Sequence, residues 1–349
     1  MPKLQASSLT TTKSESGSDD EGARLLAEVW ADPDADAPRL VYADWLLQHG
    51  DPRGEVIVLQ VQGNDERRAR QLIKKYGRSM LGVLAPVVYQ PTFERGFVSD
   101  CTVEIHSAKQ RELLWHPAWA TVTSVTAYDP AVLESPAMKS LRVVRSLFIE
   151  DLARLSAREQ PFAIESLEQL VLNLDEDEPH WRALYDMGAF ENLRELGVSI
   201  DDEGDADVSF ERWKWLLQGK LGKRLNRLRV DMSGISEPDV PDWIRAFDTS
   251  RVLAALELVP DGESALRITR VGNNLDMRYE LHLRPKANKE LEWRYGRAVK
   301  KLFAQFPMRR APRLDIVLHR ASRAAEVSHA QAYFGKLLAK QFSSVVVST

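Results

Sequence analysis

Cysteine occurs once in this chain, at Cys101. One thiol can close no internal disulfide and build no cysteine-rich zinc module, which points to a reducing compartment. The seven histidines are scattered, with no HExxH or comparable ligand spacing. No run of ~18 or more apolar residues occurs, so no membrane-spanning helix is expected. No apolar stretch with a cleavage site follows the basic start, so no signal peptide is expected and the cytoplasm is the expected location. Charge of one sign is also lacking: 47 basic residues stand against 51 acidic ones, a net charge of -4. Overall charge therefore gives no reason to expect a nucleic-acid or membrane partner. What is present is 349 residues, 44% hydrophobic and 28% charged. That is a globular composition, with room for one large domain or two ordinary ones at ~100–200 residues each.

Residues 1–22 are rich in Ser, Thr, Asp and Glu and have almost no apolar periodicity, so they read as a disordered tail. Residues 23–92 read as a helical module. Leu25, Leu26, Val29 and Trp30 fall at helical spacing before the DPDADAP stop. A second helix carries Leu40, Val41, Tyr42, Trp45 and Leu46 on one side and ends at Gly50. Asp51-Pro52-Arg53-Gly54 turns the chain into a third helix through GEVIVLQVQ, and Asp65 can cap a fourth through DERRARQLIKKYG.

From about Phe93 the period shortens towards 2, and FERGFVSDCTVEIHS reads as a strand or hairpin. Residues 93–260 then carry a recurring unit, apolar-x-x-apolar-x-apolar, beginning at Val122, Val144, Leu167, Leu193, Leu225 and Leu253. The successive spacings of 22, 23, 26, 32 and 28 residues lie around the ~20–29-residue period of leucine-rich repeats. The first, fourth and sixth positions of each unit would point into a core from a short parallel strand, and the residues between them would point outward. Stacked units bury one another's apolar faces. The polar position after each strand is Asp175, Asp201, Ser233 and Asp261, but Pro130 and Leu152 in the first two units, so the repeat is degenerate. Residues 261–349 alternate strand-like and helix-like segments and read as divergent repeats or a C-terminal cap. The expected fold class is thus α/β, a leucine-rich-repeat-like solenoid with parallel strands preceded by a small helical module.

The segment Asp36-Ala37-Pro38-Arg39-Leu40-Val41-Tyr42-Ala43-Asp44-Trp45-Leu46, then His49 to Glu55, then Leu59-Gln60, resembles the bacterial repeat-companion family. Arg95-Gly96-Phe97-Val98 and Trp115-His116-Pro117 are similar to the sequence that follows it. The match covers roughly residues 23–60 closely; the stretch between Val61 and Tyr89 is shortened relative to the family. The resemblance implies a helical module beside a leucine-rich-repeat-like array, and it brings no catalytic or binding residues to carry over.

Candidate chemistry in the motifs is sparse. Asp32-Pro33-Asp34-Ala35-Asp36 starts like a calcium loop, but Ala37 and Ala43 stand where the glycine and bidentate glutamate belong, so a solvated loop is expected. Asp44, Arg53 and Glu55 could pair to fix the helix-turn-helix or form a substrate site. Cys101 and His106 have opposite parity on a strand and so make no nucleophile-base pair. Gly219-Lys220-Leu221-Gly222-Lys223-Arg224 fails the phosphate-loop spacing and follows a helix. No cofactor or metal is expected, and an enzyme is the contrasting class.

Charge placement is more informative. Acidic residues gather at 175–178 and 201–207, after two repeat strands, whereas residues 281–320 hold eleven Lys or Arg against three Asp or Glu. The expectation is a non-enzymatic scaffold or adaptor that binds another protein. Its binding face would display Tyr128, Phe148, Glu150, Asn173, Glu195, Ser199, Arg227, Arg229 and Asp231. Nucleic acid is the alternative partner, through residues 284–313 and in particular Arg294, Arg297, Lys300, Lys301, Arg309 and Arg310.

Overall fold

The computed structural model describes residues 12–127, 129–148, 150, 151, 155, 162–173, 190–201, 219–233, 240–250, 252–261, 264–271, 274–282, 296–303, 313–319 and 324–349. The chain is mixed α/β and divides into two compact units, Met1–Arg145 and Ser146–Thr349.

The first unit opens with four helices: α1 (Thr12–Ala31), α2 (Asp36–Gln48), α3 (Pro52–Gln62) and α4 (Glu66–Met80). The start of α1 corrects the expectation of a tail running to residue 22. Packing favours the longer helix, since Gly22 lies against Trp45. A Cβ at Gly22 would stand 2.3 Å from the Trp45 ring. Leu25 and Val29 are buried as expected. In α2 the buried face is Arg39, Tyr42, Ala43 and Leu46, while Val41 is 53% exposed, which corrects the expected apolar side. Gly50 takes the left-handed conformation that ends α2 (φ 70°). Asp51 and Asp65 cap α3 and α4 by accepting from Arg53 N and Arg68 N. Gly54 allows α3 to cross α2 closely, since a Cβ there would lie 2.7 Å from the Ala43 carbonyl oxygen.

Strands β1 (Val88–Glu94) and β2 (Phe97–Val103) form an antiparallel hairpin, and β3 (Ser124–Ala127) and β4 (Val143–Val144) follow in parallel. The hairpin turn, Arg95-Gly96, has φ of 50° and 79°. Gly96 sits so close to α3 that a Cβ would meet Ile57 at 2.1 Å, so no other residue fits there.

The second unit contains β5 (Leu147–Phe148), β6 (Ser166–Asn173), β7 (Glu195–Asp201), β8 (Arg227–Asp231) and β9 (Ala255–Asp261), each parallel to the next. After Asp261 the pairing reverses: β10 (Ser264–Val271) and β11 (Asn274–His282) run as an antiparallel meander from β9. Parallel pairing then resumes with β12 (Arg313–His319) and β13 (Ser344–Ser348). Helices α7 (Val240–Thr249), α8 (Gly296–Phe303) and α9 (Ala324–Leu337) connect these strands; the short α5 (Ala108–Glu112) and α6 (Ala131–Glu134) belong to the first unit.

The inward register follows from the apolar-x-x-apolar-x-apolar unit. Every one of its apolar positions whose side chain is described is at least 95% buried, among them Leu167 and Leu170, Leu196 and Val198, Leu228 and Val230, and Leu256 and Leu258. The backbone repeats the same arrangement. The carbonyl oxygens of Glu165, Arg194 and Asn226 each accept from two consecutive amides of the next strand's entry: Arg194 and Glu195, Asn226 and Arg227, Ala254 and Ala255. Thr123 does the same in the first unit for Arg142 and Val143. One irregularity has its own residue: β6 bulges between Leu167 and Leu170, and Gly197 lies beneath the bulge, where a Cβ would collide with the Glu168 carbonyl oxygen.

Candidate interaction face

The outward residues of the second unit line up in rows across the strands. Gly197, Arg229, Glu257 and Arg267 are consecutive register partners from β7 to β10, and Arg267 faces Arg278, which faces Asp315. From Arg229 through Glu257 to Arg267 the sign alternates and produces cross-strand ion pairs, whereas Arg267 and Arg278 set two like charges side by side. Arg229 Nε lies 3.3 Å from Glu257 Oε1, and Arg267 Nε lies 3.0 Å from the other oxygen of the same carboxylate. Hydrogen bonding to Glu257 holds the Arg267 guanidinium above its ordinary pKa. Arg267 also reaches Glu280 at 2.7 Å. Glu280 is the hub, since Arg278 at 3.1 Å and His319 at 3.2 Å approach it too while its side chain is 8% exposed. In the next row Glu195 and Arg227 are paired in register with their charged atoms 4.0 Å apart.

The expected face residues divide into three groups. Glu195, Ser199, Arg227, Arg229 and Asp231 lie on β7 and β8 and share the sheet face with the charge ladder. Asp231 has a local task as well: it accepts from Ser233 N and Oγ at the strand end and meets Arg229 at 3.2 Å. Phe148 on β5 is 41% exposed, as expected for an outward aromatic. Glu150 corrects the expectation of a longer strand, because β5 ends at Phe148 and Glu150 is already helical. Period-2 alternation cannot signal that the chain turns into a helix two residues later. Asn173 ends β6, and its side chain, like Tyr128 as a whole, lies outside the described residues. Of the basic segment 284–313, α8 with Arg297, Lys300 and Lys301 and the first residue of β12, Arg313, are described, Lys300 being exposed; the rest of it, with Arg294, Arg309 and Arg310, lies outside the described residues, as do the acidic runs at 175–178 and 202–207. Sequence reasoning missed Glu257, Arg267, Arg278, Glu280 and His319. Their signal was the alternation of charged and apolar residues in LAALELV, ALRITRV, MRYELHLR and RLDIVLHR.

The motif residues of the first unit form a joint. Arg39 Nη2 donates to Pro33 O at 2.5 Å and Nη1 to Arg95 O at 3.2 Å. Arg95 in turn donates to Asp34 O and to Asp36 Oδ1. The DPDAD loop is therefore clasped by two guanidinium groups, and among the described residues no cluster of His, Cys, Asp and Glu could hold a metal ion. Arg39 is 1% exposed, and burial brings its pKa down to about 10. The Phe97 ring lies 4.9 Å from the Arg39 guanidinium and 5.3 Å from that of Arg53. Gln60 completes the joint, donating to Phe93 O and accepting from Gly96 N at the hairpin turn.

The expected trio of Asp44, Arg53 and Glu55 does not assemble. Glu55 pairs with Arg68 at 2.8 Å, Arg53 hydrogen-bonds the Tyr42 phenol, and Asp44 points to solvent. Cys101 is buried, chiefly by desolvation its thiol is pushed up to about 12, and His106 is exposed beyond the end of β2. These two groups make no catalytic pair. Gly219 to Arg224 is a turn leading into β8, in which Leu221 and Gly222 are buried.

Comparison with known proteins adds no relative: no family model, curated protein or solved structure matches this chain.

Proposed function

We propose that this protein is a non-enzymatic interaction scaffold with a leucine-rich-repeat-like array, and that it binds another protein through the charge-laddered sheet face of its second unit. The observation that carries the reading is the chain of ion pairs Arg229, Glu257, Arg267 and Glu280, the last reached diagonally, whose pairs run across neighbouring strands and, Glu280 apart, stay partly exposed. Exposed ion pairs contribute only ~0–1 kcal/mol each, so their partners exchange readily for charges brought by another surface. The outward Phe148, on β5 at the other side of β6 and β7 from the ladder, offers an apolar contact. The repeated register of β6 to β9 and the resemblance of residues 36–60 to repeat companions support the array.

The test is photo-crosslinking in lysate from a benzophenone residue placed at Ser199, compared with one placed at Asp248 on α7. The reading predicts a discrete protein adduct from position 199 alone, lost when Arg229→Glu is added. Adducts of equal yield from both positions, or adducts to nucleic acid only, would contradict it.

A further inference from the structure

The first unit contains a cleft of about 250 Å³ that the charge ladder does not touch. Its walls are mostly apolar, with Leu26 of α1, Met80 of α4 and Leu84 contributing side chains, and Phe97 closing it beside Arg53. Two other polar side chains line it, His116 and Thr121. Each polar wall group is defined by what it already does. Thr121 Oγ1 donates to Val98 O at 3.0 Å. His116 Nδ1 accepts from Ala118 N at 3.1 Å, so the neutral ring carries its proton on Nε2 and has a donor left to give. Burial favours that neutral ring by lowering its pKa. Arg53 has the Tyr42 phenol as its side-chain hydrogen-bond acceptor, while Asp51 accepts from the Arg53 backbone amide and acts on the guanidinium through its charge alone. Among the described residues no carboxylate forms an ion pair with the Arg53 guanidinium. A half-buried guanidinium with spare N–H groups matches a carboxylate in a bidentate fork.

We propose that this cleft binds a small organic carboxylate, its two oxygens on Arg53 with His116 Nε2 as a further donor, and its apolar body against Leu26, Met80 and Leu84. The free donors of Arg53 and His116 favour an anionic acceptor; Thr121, its proton spent on Val98 O, offers only an acceptor and adds nothing to that preference. The volume limits the body: a dry cavity of ~150 Å³ admits benzene, so a single ring with a short acidic arm fits and a two-ring or long-chain acid does not.

The probe is phenylacetate, titrated into the full-length chain and followed by amide chemical shifts, with phenylacetamide as its neutral isostere. The expected result is saturable binding that shifts the amides of Val98 and Ala118, with the amide isostere weaker by about tenfold or more. Ala118→Leu, which fills the cleft, should abolish the shifts while the unfolding midpoint holds. Arg53→Lys should weaken binding by about tenfold by removing the fork. Should Arg53→Lys fail to fold, the isostere and Ala118→Leu still decide. Equal affinity for acid and amide, binding that survives Ala118→Leu, or no saturable binding would each overturn the assignment.

Discussion

In the joint of the first unit Arg39 ends on two backbone carbonyl oxygens, Arg95 on the Asp34 carbonyl and the Asp36 carboxylate, and Arg39 and Arg53 lie over the Phe97 ring. In the second, Arg229, Arg267 and Arg278 end on carboxylates of neighbouring strands or of their own. The difference lies in what replaces the arginine when it leaves. A carbonyl in a packed joint has no water to turn to, and stranding it costs ~1–3 kcal/mol. A carboxylate on an open sheet face is rehydrated at once. The same residue type is therefore structural in the joint and displayed on the ladder; Arg270, which donates to the Phe247 and Ser250 carbonyls and lies over the Phe247 ring, is the joint's counterpart in the second unit.

The largest effect lies beneath the ladder rather than in it. Leu196 is 2% exposed at an inward position, so Leu196→Ala should destabilise by ~2–5 kcal/mol. Its outward neighbour tested as Glu195→Ala should stay within ~0.5 kcal/mol. Chemical denaturation of both variants checks this, and equal losses would mean that the strand is registered on the other face.

Next comes the clasp. Arg39→Ala should cost ~2–4 kcal/mol, because Pro33 O and Arg95 O lose donors and the space beside Phe97 empties. A thermal-shift change as small as that of a surface arginine would remove the distinction between joint and ladder.

A smaller effect follows pH. Burial holds the His116 pKa below its ordinary value, so the folded state prefers the neutral ring. The associated stability is complete above the unfolded pKa of ~6.5 and is lost as pH falls through the lower folded value. The variant His116→Asn keeps an acceptor for Ala118 N and removes the titration. The advantage of wild type over this variant should shrink between about pH 7.5 and about pH 5 in urea midpoints. A pH-independent difference would show that the ring is not desolvated.

The smallest effect belongs to the ladder itself: Arg229→Ala should change stability by less than ~1 kcal/mol. A loss as large as that of Arg39→Ala would place Arg229 among the structural arginines and leave the face without a displayed cation.

The residues explain how much of this was legible. Leu170, Leu196 and Leu228 sit at equivalent points of an apolar pattern, and that pattern alone fixes which side of each strand is buried. Asp51, Asp65 and Gly50 marked helix ends because their effects are local. The clasp was not legible, because Arg95 meets Asp34 and Asp36 across some sixty residues of chain and no periodicity links them. Reversal of strand direction at β10 was equally hidden: Leu266 and Ile268 alternate with polar residues whichever way the strand is paired. Glu280 escaped notice because a lone acidic residue in a strand does not announce two arginines and a histidine gathered around it.

Cysteine accessibility tests the assigned face most directly, since the native Cys101 is buried with its thiol raised to about 12 and should stay silent to iodoacetamide until the chain unfolds. Single variants Glu195→Cys, Arg227→Cys and Glu257→Cys should be alkylated rapidly in the folded protein, and Leu196→Cys, Leu228→Cys and Leu256→Cys only after denaturant is added. Comparable labelling of the two sets, or faster labelling of the leucine positions, would contradict the outward ladder on which the proposed binding face depends.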